Sequence, residues 1–176
     1  MVIKGRQVDY VGTAISEESF KSIKDNLEKI FLVGEAINLF NSLVKEQERD
    51  PELFYLLRDF LFLVNDNGEA EIFNIAFKIK LIAILGYTPN FDNCIACGQK
   101  NTGKSFIFDF TKGGTVCERC QTQTSKNIQT LNFSLVNNYK KISNLEIKDV
   151  VSLHSPKIEK DELEMFLSGY ILANIK

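Results

Sequence analysis

The sequence lacks tryptophan, has a single histidine, and contains no apolar run long enough for a membrane-spanning helix. Its longest apolar stretch is interrupted by Lys78 and Lys80, whereas a spanning helix needs about 20 consecutive apolar residues. The single histidine, His154, has no acid or nucleophile near it in sequence and is expected to be a surface residue. These absences exclude helical membrane spans and leave no histidine-based catalytic arrangement.

A strong excess of positive charge is also missing. Lys and Arg number 8 against 12 Asp and Glu in Met1–Asp66, 7 against 5 in Asn67–Leu131, and 6 against 6 in Asn132–Lys176. Four metal-bound thiolates and one zinc ion would bring the middle segment to neutrality. Binding to nucleic acid by this chain alone is therefore not supported by its charge, because proteins that bind phosphate backbones usually carry a basic face.

Cysteine is scarce but regularly spaced. The four cysteines, Cys94, Cys97, Cys117 and Cys120, form two C-x2-C pairs. Each pair can place two sulfurs on one side of a tight turn, and two such turns supply four ligands at tetrahedral angles. Zn²⁺ suits four thiolates, and a site closed by four sulfurs leaves no position for a substrate. The spacing predicts a structural Zn²⁺ site, with iron in the same four sulfurs as the remaining alternative.

Two other interpretations of the cysteines are disfavoured. Disulfides require an oxidising compartment, but Met1–Arg6 lacks the apolar segment of a secretory signal. A thioredoxin-like redox pair would account for one C-x2-C but not for its duplicate.

Helical periodicity dominates the first half of the chain. Apolar spacing predicts one long amphipathic helix over Ser16–Val44, with Ser16 as its N-cap. A second helix is predicted over Asp50–Val64, because Asp caps helices and Pro51 suits the first helical position. Ile72–Leu85 is apolar nearly all round, which predicts a buried central helix that ends at Gly86.

The segment between the cysteine pairs has the period of a strand. Phe106, Phe108 and Phe110 alternate with other residues, and Lys112–Thr115 contains two glycines that favour a turn. Two or three further helical segments are expected after Thr130, around Phe133–Ile142, Leu145–Leu153 and Pro156–Ile175.

The fold class is therefore predicted to be mainly α, a helical bundle with an inserted C4 zinc ribbon built on a short β hairpin. We expect residues 1–15 to form a remnant strand and linker, residues 16–90 and 125–176 the helical domain, and residues 91–124 the ribbon.

An ordered set of short motifs resembles a known family. After the apolar central helix come Leu85–Pro89, Cys94–Gly98, Phe106–Asp109 and Gly113–Cys120 in that order. Together with Pro51–Phe54 at the start of the second helix, they are similar to the C-terminal part of the RecO family of bacterial DNA repair and recombination mediators. The resemblance covers the chain from about Ser16 to its end.

Members of that family begin with an OB-fold barrel, and too few residues precede Ser16 here to form one. Lys4–Val11 is expected to be the last barrel strand and its exit linker, which would make the chain a fragment or a truncated form. The OB-fold is a principal single-strand-binding surface, so DNA binding by this chain is expected to be weak or absent.

The resemblance implies a non-enzymatic function in the bacterial cytoplasm, at the nucleoid. An intact mediator binds DNA, anneals complementary strands, works with the RecR protein and helps to load the RecA recombinase onto strands covered by single-strand-binding protein. The helical domain is where the acidic tail of single-strand-binding protein docks, and Lys78 and Lys80 are candidate contacts for it.

Lysines and an arginine on the ribbon are candidate contacts for DNA or a partner. Lys112 and Arg119 could touch phosphates, as could Lys100 and Lys104, although solvated surface charge is the simpler expectation.

Two other functions are left open. One is a zinc-ribbon accessory or hydrolase domain unrelated to recombination, and the other is an autonomous nucleic-acid binder with steep salt dependence.

Overall fold

A computed structural model describes residues 2–6, 8, 10–16, 18–44, 50–103, 105–123, 126–153 and 159–174. The strands are β1 (Val2–Ile3), β2 (Tyr10–Val11), β3 (Ser105–Asp109), β4 (Gly114–Val116) and β5 (Ile128–Asn132). The α-helices are α1 (Lys21–Lys24), α2 (Leu27–Leu43), α3 (Pro51–Asp66), α4 (Ala70–Ile84), α5 (Phe133–Asn144) and α6 (Lys160–Asn174). The predictions for Lys104, for His154 and for the end residues Pro156 and Ile175 of the last helix fall outside the described residues.

The N-terminal half departs from the prediction of one continuous helix from Ser16. The chain is non-helical at Ser16, Phe20 adopts a left-handed φ of 49°, and α1 is only four residues long. The side chain of Asn26 then caps α2 by accepting a hydrogen bond from the backbone N–H of Lys29 at 3.1 Å. A side chain that bonds to the backbone in this way starts a new helix instead of continuing the old one.

The start of α3 and the end of α4 agree with the sequence. Asp50 accepts hydrogen bonds from the backbone N–H groups of Glu52 and Leu53, at 2.8 and 3.3 Å. At the end of α4, Gly86 has a φ of +83°. Its N–H bonds to the carbonyl of Ala83, and that of Tyr87 to the carbonyl of Ile82, a Schellman arrangement that glycine permits.

The central position of α4 is confirmed. Eleven of its fifteen residues are buried, and the helix packs against α2, α3, α5 and α6. A helix that is covered on nearly every side is mostly apolar all round, and the run over Ile72–Leu85 is so apart from the buried Asn74 and Lys78.

A three-stranded antiparallel sheet, in the order β4-β3-β5, joins the ribbon to the segment before α5. The hairpin of β3 and β4 was predicted, but β5 was not. Only Leu131 is buried among the five residues of β5, so its sequence carries little strand alternation. The strand leads directly into α5, which Asn132 caps through a 2.7 Å hydrogen bond from the backbone N–H of Leu135.

Two other segments, one at the N-terminus and one before α6, are shorter than predicted. Among the described residues of Lys4–Val11, only Tyr10 and Val11 lie in a strand, which pairs antiparallel with Val2 and Ile3. The helical segment expected over Leu145–Leu153 is a 3-10 helix over Ile147–Ser152.

Aromatic side chains join the ribbon to the helices. The Phe108 ring on β3 lies 5.1 Å from that of Phe166 on α6, and the Phe91 ring lies 5.2 Å from that of Tyr139 on α5. Phe110 also faces Phe166, with ring centroids 5.7 Å apart. The ribbon and the helical bundle therefore share one hydrophobic core, and this core holds the cysteine-bearing turns in place.

Candidate metal centre and the lysines around it

The first cysteine pair lies on a tight turn. The backbone N–H of Gly98 donates to the carbonyl of Cys94 at 2.8 Å, and the N–H of Cys94 donates to the carbonyl of Gln99 at 2.8 Å. Gly98 has a φ of +74°, a conformation that glycine adopts without steric cost. The turn places the Sγ atom of Cys97 close to that of Cys94.

The second pair follows β4 directly. Cys117 comes immediately after the strand and Cys120 lies in a 3-10 helix over Glu118–Gln123, with the N–H of Cys120 bonded to the carbonyl of Cys117 at 2.9 Å. The N–H of Cys117 also donates to Sγ of Cys94 at 3.4 Å. This bond joins the two turns through one of the candidate ligands.

Gly114 lets the first turn approach β4. A Cβ atom at this position would lie 2.4 Å from Cγ2 of Ile95 and 3.1 Å from the carbonyl oxygen of Asn90. Beside it, the backbone N–H of Ile95 bonds to the carbonyl of Thr115 at 3.0 Å. The close approach aligns the two cysteine pairs, and it depends on the absence of a side chain.

A buried polar contact reinforces the same approach. The side-chain amide of Asn101 donates to Oγ1 of Thr115 and, at 3.0 Å, to the carbonyl of Phe91. Thr115 is 1% exposed and its hydroxyl lies 3.2 Å from the carbonyl of Asn90. Sequence reasoning missed Asn101 and Thr115, because single polar residues in a loop and a short strand carry no periodic signal.

The four sulfur atoms lie close enough together for a tetrahedral metal site. All four Sγ atoms lie within 4.8 Å of one another, and those of Cys97 and Cys117 are 3.8 Å apart. A regular tetrahedron with Zn–S bonds of about 2.3 Å has sulfur–sulfur edges of about 3.8 Å. Cys94 is buried, Cys117 and Cys120 are half-buried and Cys97 is exposed. The donor set fits a structural zinc ion held near the surface.

The thiols differ in acidity. Burial alone would raise the pKa of Cys94, but hydrogen bonds from the backbone N–H groups of Cys117, Cys97 and Ala96 outweigh it and lower this pKa to about 6. Hydrogen bonding with Cys117, followed by burial, raises the pKa of Cys120 to about 12. Backbone donors thus already favour a thiolate at Cys94, the form in which cysteine binds metals.

The two lysines of α4 occupy different environments. Lys78 is 2% exposed, and its ammonium is bound by the carboxylates of Glu35, at 2.7 Å, and Glu164. Lys80 is half-buried and donates to the carbonyl of Ser143 at 2.7 Å. Burial lowers the pKa of Lys80, and the charge of Glu146 opposes that shift. The charge of Lys78 is therefore engaged inside the bundle.

The two ribbon candidates lie at opposite ends of β4. Lys112 is exposed in the turn before the strand, and its backbone N–H donates to Oδ1 of Asp109 at 3.1 Å. Arg119 is exposed after the strand, and its Nη2 donates to Oε1 of Gln99 at 2.5 Å. Lys112 and Arg119 are therefore separated by the length of β4, whereas Lys78 lies inside the helical bundle.

None of the helices in the described part of the chain is long and apolar enough to cross a membrane.

The sequence model of the family described as "Recombination protein O C terminal" matches residues 25–176. The chain belongs to the RecO family. This confirms the resemblance inferred from the ordered motifs, and the match spans both the helices and the cysteine-bearing ribbon.

Curated relatives carry the name DNA repair protein RecO. The protein from Thermoanaerobacter sp. (strain X514) is 22% identical over 184 residues, which cover 100% of this chain and 70% of the relative. That from Pelotomaculum thermopropionicum is 35% identical over 66% of this chain and 45% of the relative. That from Desulforamulus reducens is 28% identical over 97% of this chain and 66% of the relative. The two alignments that cover nearly the whole chain span about two thirds of the length of the relatives.

Proposed function

We propose that this chain is the partner-docking part of a RecO-type DNA repair protein that acts as a recombination mediator. The family match over residues 25–176 carries the proposal. In this function the protein works with RecR, binds the acidic tail of single-strand-binding protein and helps to load RecA onto DNA, in the bacterial cytoplasm at the nucleoid. It performs no catalysis.

We further propose that Cys94, Cys97, Cys117 and Cys120 hold a structural Zn²⁺ ion. Sulfur spacing compatible with a tetrahedral site supports this assignment. The ion would cross-link the turn that follows Phe91 to the end of β4. Such a bond would stabilise the sheet and, through the phenylalanines of β3, the packing of the ribbon on α6.

We expect DNA contact by this chain to be weak. The formal net charge is −2, and Lys78 is neutralised by two carboxylates inside the bundle. Lys80, Lys112 and Arg119 remain the candidate contacts for phosphate groups or for an acidic tail. The family match favours this interpretation over an unrelated accessory or hydrolase domain.

Fluorescence anisotropy with a labelled peptide of the single-strand-binding protein tail tests the docking function. We expect saturable binding at low salt, and weaker binding to a peptide of the same composition in scrambled order. Equal binding of both peptides, or none, would contradict docking.

A parallel titration with labelled single-stranded DNA tests the autonomous nucleic-acid binder. A steep fall in affinity with salt concentration would favour that alternative, because binding to phosphate groups displaces counterions from DNA.

A pull-down with purified RecR tests the remaining partner, and retention of RecR by the chain is the expected result.

A further inference from the structure

Cys97 is the most accessible of the four cysteines. It is exposed, whereas the other three are buried or half-buried. Its neighbours in the chain, Ala96 and Gly98, are also exposed and carry at most a methyl group. Apart from its own chain neighbours, no described atom lies within 4 Å of a Cβ atom built at Gly98. A small oxidant in solution can therefore reach Cys97.

Cys94, the other cysteine of the same turn, is protected. It is 1% exposed, and its Sγ atom accepts a hydrogen bond from the backbone N–H of Cys117 at 3.4 Å. Oxidation of a cysteine needs access as well as a thiolate. The backbone donors that favour a thiolate at Cys94 therefore do not make it reactive toward a dissolved oxidant, and exposure selects Cys97.

A second sulfur lies within reach of Cys97. The Sγ atom of Cys117, on the other turn, is 3.8 Å from that of Cys97. The thiolate that binds a metal is also the nucleophilic form of cysteine, so either sulfur can attack an oxidised neighbour. An accessible cysteine beside a second, resolving cysteine is the usual arrangement of a reversible oxidation site.

Contacts that need no metal hold the two turns together. The backbone N–H of Ile95 bonds to the carbonyl of Thr115 at 3.0 Å, and the side-chain amide of Asn101 donates to Oγ1 of Thr115. Loss of an ion would leave these bonds in place. Cys97 and Cys117 would then remain close enough to react with each other.

We propose that Cys97 is an oxidation site, at which a peroxide produces a disulfide between Cys97 and Cys117. The Cys97 thiolate attacks one peroxide oxygen, so that an S–O bond forms, the O–O bond breaks and hydroxide leaves. The Cys117 thiolate then attacks the sulfur of the resulting sulfenic acid, so that the S–S bond forms, the S–O bond breaks and a second hydroxide leaves. Two electrons pass from the sulfurs to the peroxide, and the hydroxides take up protons from the buffer to give water.

The disulfide leaves only two thiolates, Cys94 and Cys120, in the metal site. A structural zinc ion needs four ligands and would be released. This consequence rests on the proposed zinc ion, whereas the disulfide itself does not. The new covalent bond would replace the ion as the link between the two turns, and a dithiol would reverse it.

Peptide mapping after treatment of the full chain with hydrogen peroxide tests the proposal. Free thiols are alkylated in denaturant, and trypsin then separates three peptides that contain cysteine. These are residues 81–100, with the first cysteine pair, 113–119, with Cys117, and 120–126, with Cys120. We expect the first two peptides to be linked and the third to be alkylated.

Fragmentation of the linked peptides should find Cys97 in the disulfide and Cys94 alkylated. A chromogenic chelator should report the release of about one zinc ion per chain, at the same rate as the disulfide forms. Dithiothreitol should reduce the disulfide and restore zinc uptake.

Substitutions assign the two sulfurs. Cys97→Ser should form no disulfide with Cys117 and should release zinc in peroxide at least about tenfold more slowly. Thr111→Ser, an exposed change near the other end of β4, is the control and should react like the wild type. Cys120→Ser keeps both reacting sulfurs, so after removal of metal with a chelator it should form the same disulfide.

A first disulfide within either C-x2-C pair would overturn the proposal. So would oxidation of Cys94 before Cys97, or equal zinc release from Cys97→Ser and the wild type. A purified chain without metal would contradict the proposed zinc ion alone, since the disulfide mapping needs no ion. The two proposals can therefore fail separately.

Discussion

The backbone N–H of Cys117 lies 3.4 Å from Sγ of Cys94 and donates a hydrogen bond to it. This bond joins one candidate ligand of the first C-x2-C pair to one of the second, and it needs no metal. This bond and the approach of Ile95 to Gly114 hold the two turns in register. The protein backbone therefore stabilises the arrangement of the cysteines independently of any bound ion.

Replacement of a ligand should release the ion and loosen the ribbon. We expect Cys117→Ser to lower the zinc content from about one ion per chain. We also expect it to lower the free energy of unfolding by more than about 4 kcal/mol, since loss of a structural metal is among the largest single-residue effects. Metal analysis and urea denaturation measure these changes. Helical circular dichroism should be largely retained, because α4 packs among other helices.

Thr111→Ser, an exposed change near the other end of β4, is the matched control and should alter neither quantity. Wholesale loss of helix signal in Cys117→Ser would mean that the ribbon organises the bundle. Full stability after metal loss would show that the ion has no structural role.

Gly114→Ala should destabilise the ribbon by about 1–3 kcal/mol, because the new Cβ would overlap the side chain of Ile95. It should also weaken zinc binding by separating the two turns. Gly34→Ala is the control: nothing lies within 4 Å of a Cβ at Gly34, which is within α2. That change should stabilise by about 0.5–1 kcal/mol. Thermal denaturation and zinc-competition titrations compare the two, and equal effects would refute the steric argument.

Tyr139→Phe should leave stability unchanged or raise it by about 1 kcal/mol. The Tyr139 hydroxyl is buried and has no hydrogen-bond partner in the part of the chain that the structure describes. Removing an unsatisfied polar group also removes its desolvation cost. Tyr87→Phe, at a position 40% exposed, should change little. A loss of 2 kcal/mol or so in Tyr139→Phe alone would indicate that the hydroxyl is bonded.

Tyr139 should also make the free energy of unfolding depend on pH. Burial, and secondarily the charge of Tyr170, raise the pKa of Tyr139 above its ordinary value near 10. The unfolded state therefore ionises first, so this contribution to stability is present below pH 10 and is lost as the pH rises toward the folded-state pKa. Denaturation at several pH values should show a steeper decline in the wild type than in Tyr139→Phe. Parallel curves would contradict the assignment.

Removal of Lys78 should cost less stability than removal of the two carboxylates that bind it. Lys78→Met leaves Glu35 and Glu164 partly exposed to water, so we expect a cost of about 1 kcal/mol or less. The double change Glu35→Gln and Glu164→Gln leaves a buried ammonium without a counter-charge and should cost about 3–5 kcal/mol. Urea denaturation compares the two variants.

Lys160→Met, which removes a more exposed ion pair, should cost less than about 1 kcal/mol and serves as the control. If Lys78→Met proved the more damaging change, the buried ammonium would not be the dominant charge. Unchanged binding of the single-strand-binding protein tail by Lys78→Met would further indicate that this lysine acts in the interior.

Strong local signals made parts of the fold predictable. Asp50 and Pro51 mark a helix start by side-chain chemistry, and Gly86 marks a helix end by its positive φ. The break at Asp25 and Asn26 was missed, because apolar spacing continues across it and only the capping bond of Asn26 interrupts the helix. The third strand was missed because β5 buries only Leu131.

The sequence by itself determined the four candidate sulfur ligands, the buried central helix and the family, since each depends on residue types at short spacing. Only the tertiary structure decided that Lys78 lies inside the bundle between Glu35 and Glu164, residues 43 and 86 positions away. Such contacts join residues distant along the chain, and no local pattern encodes how helices pack.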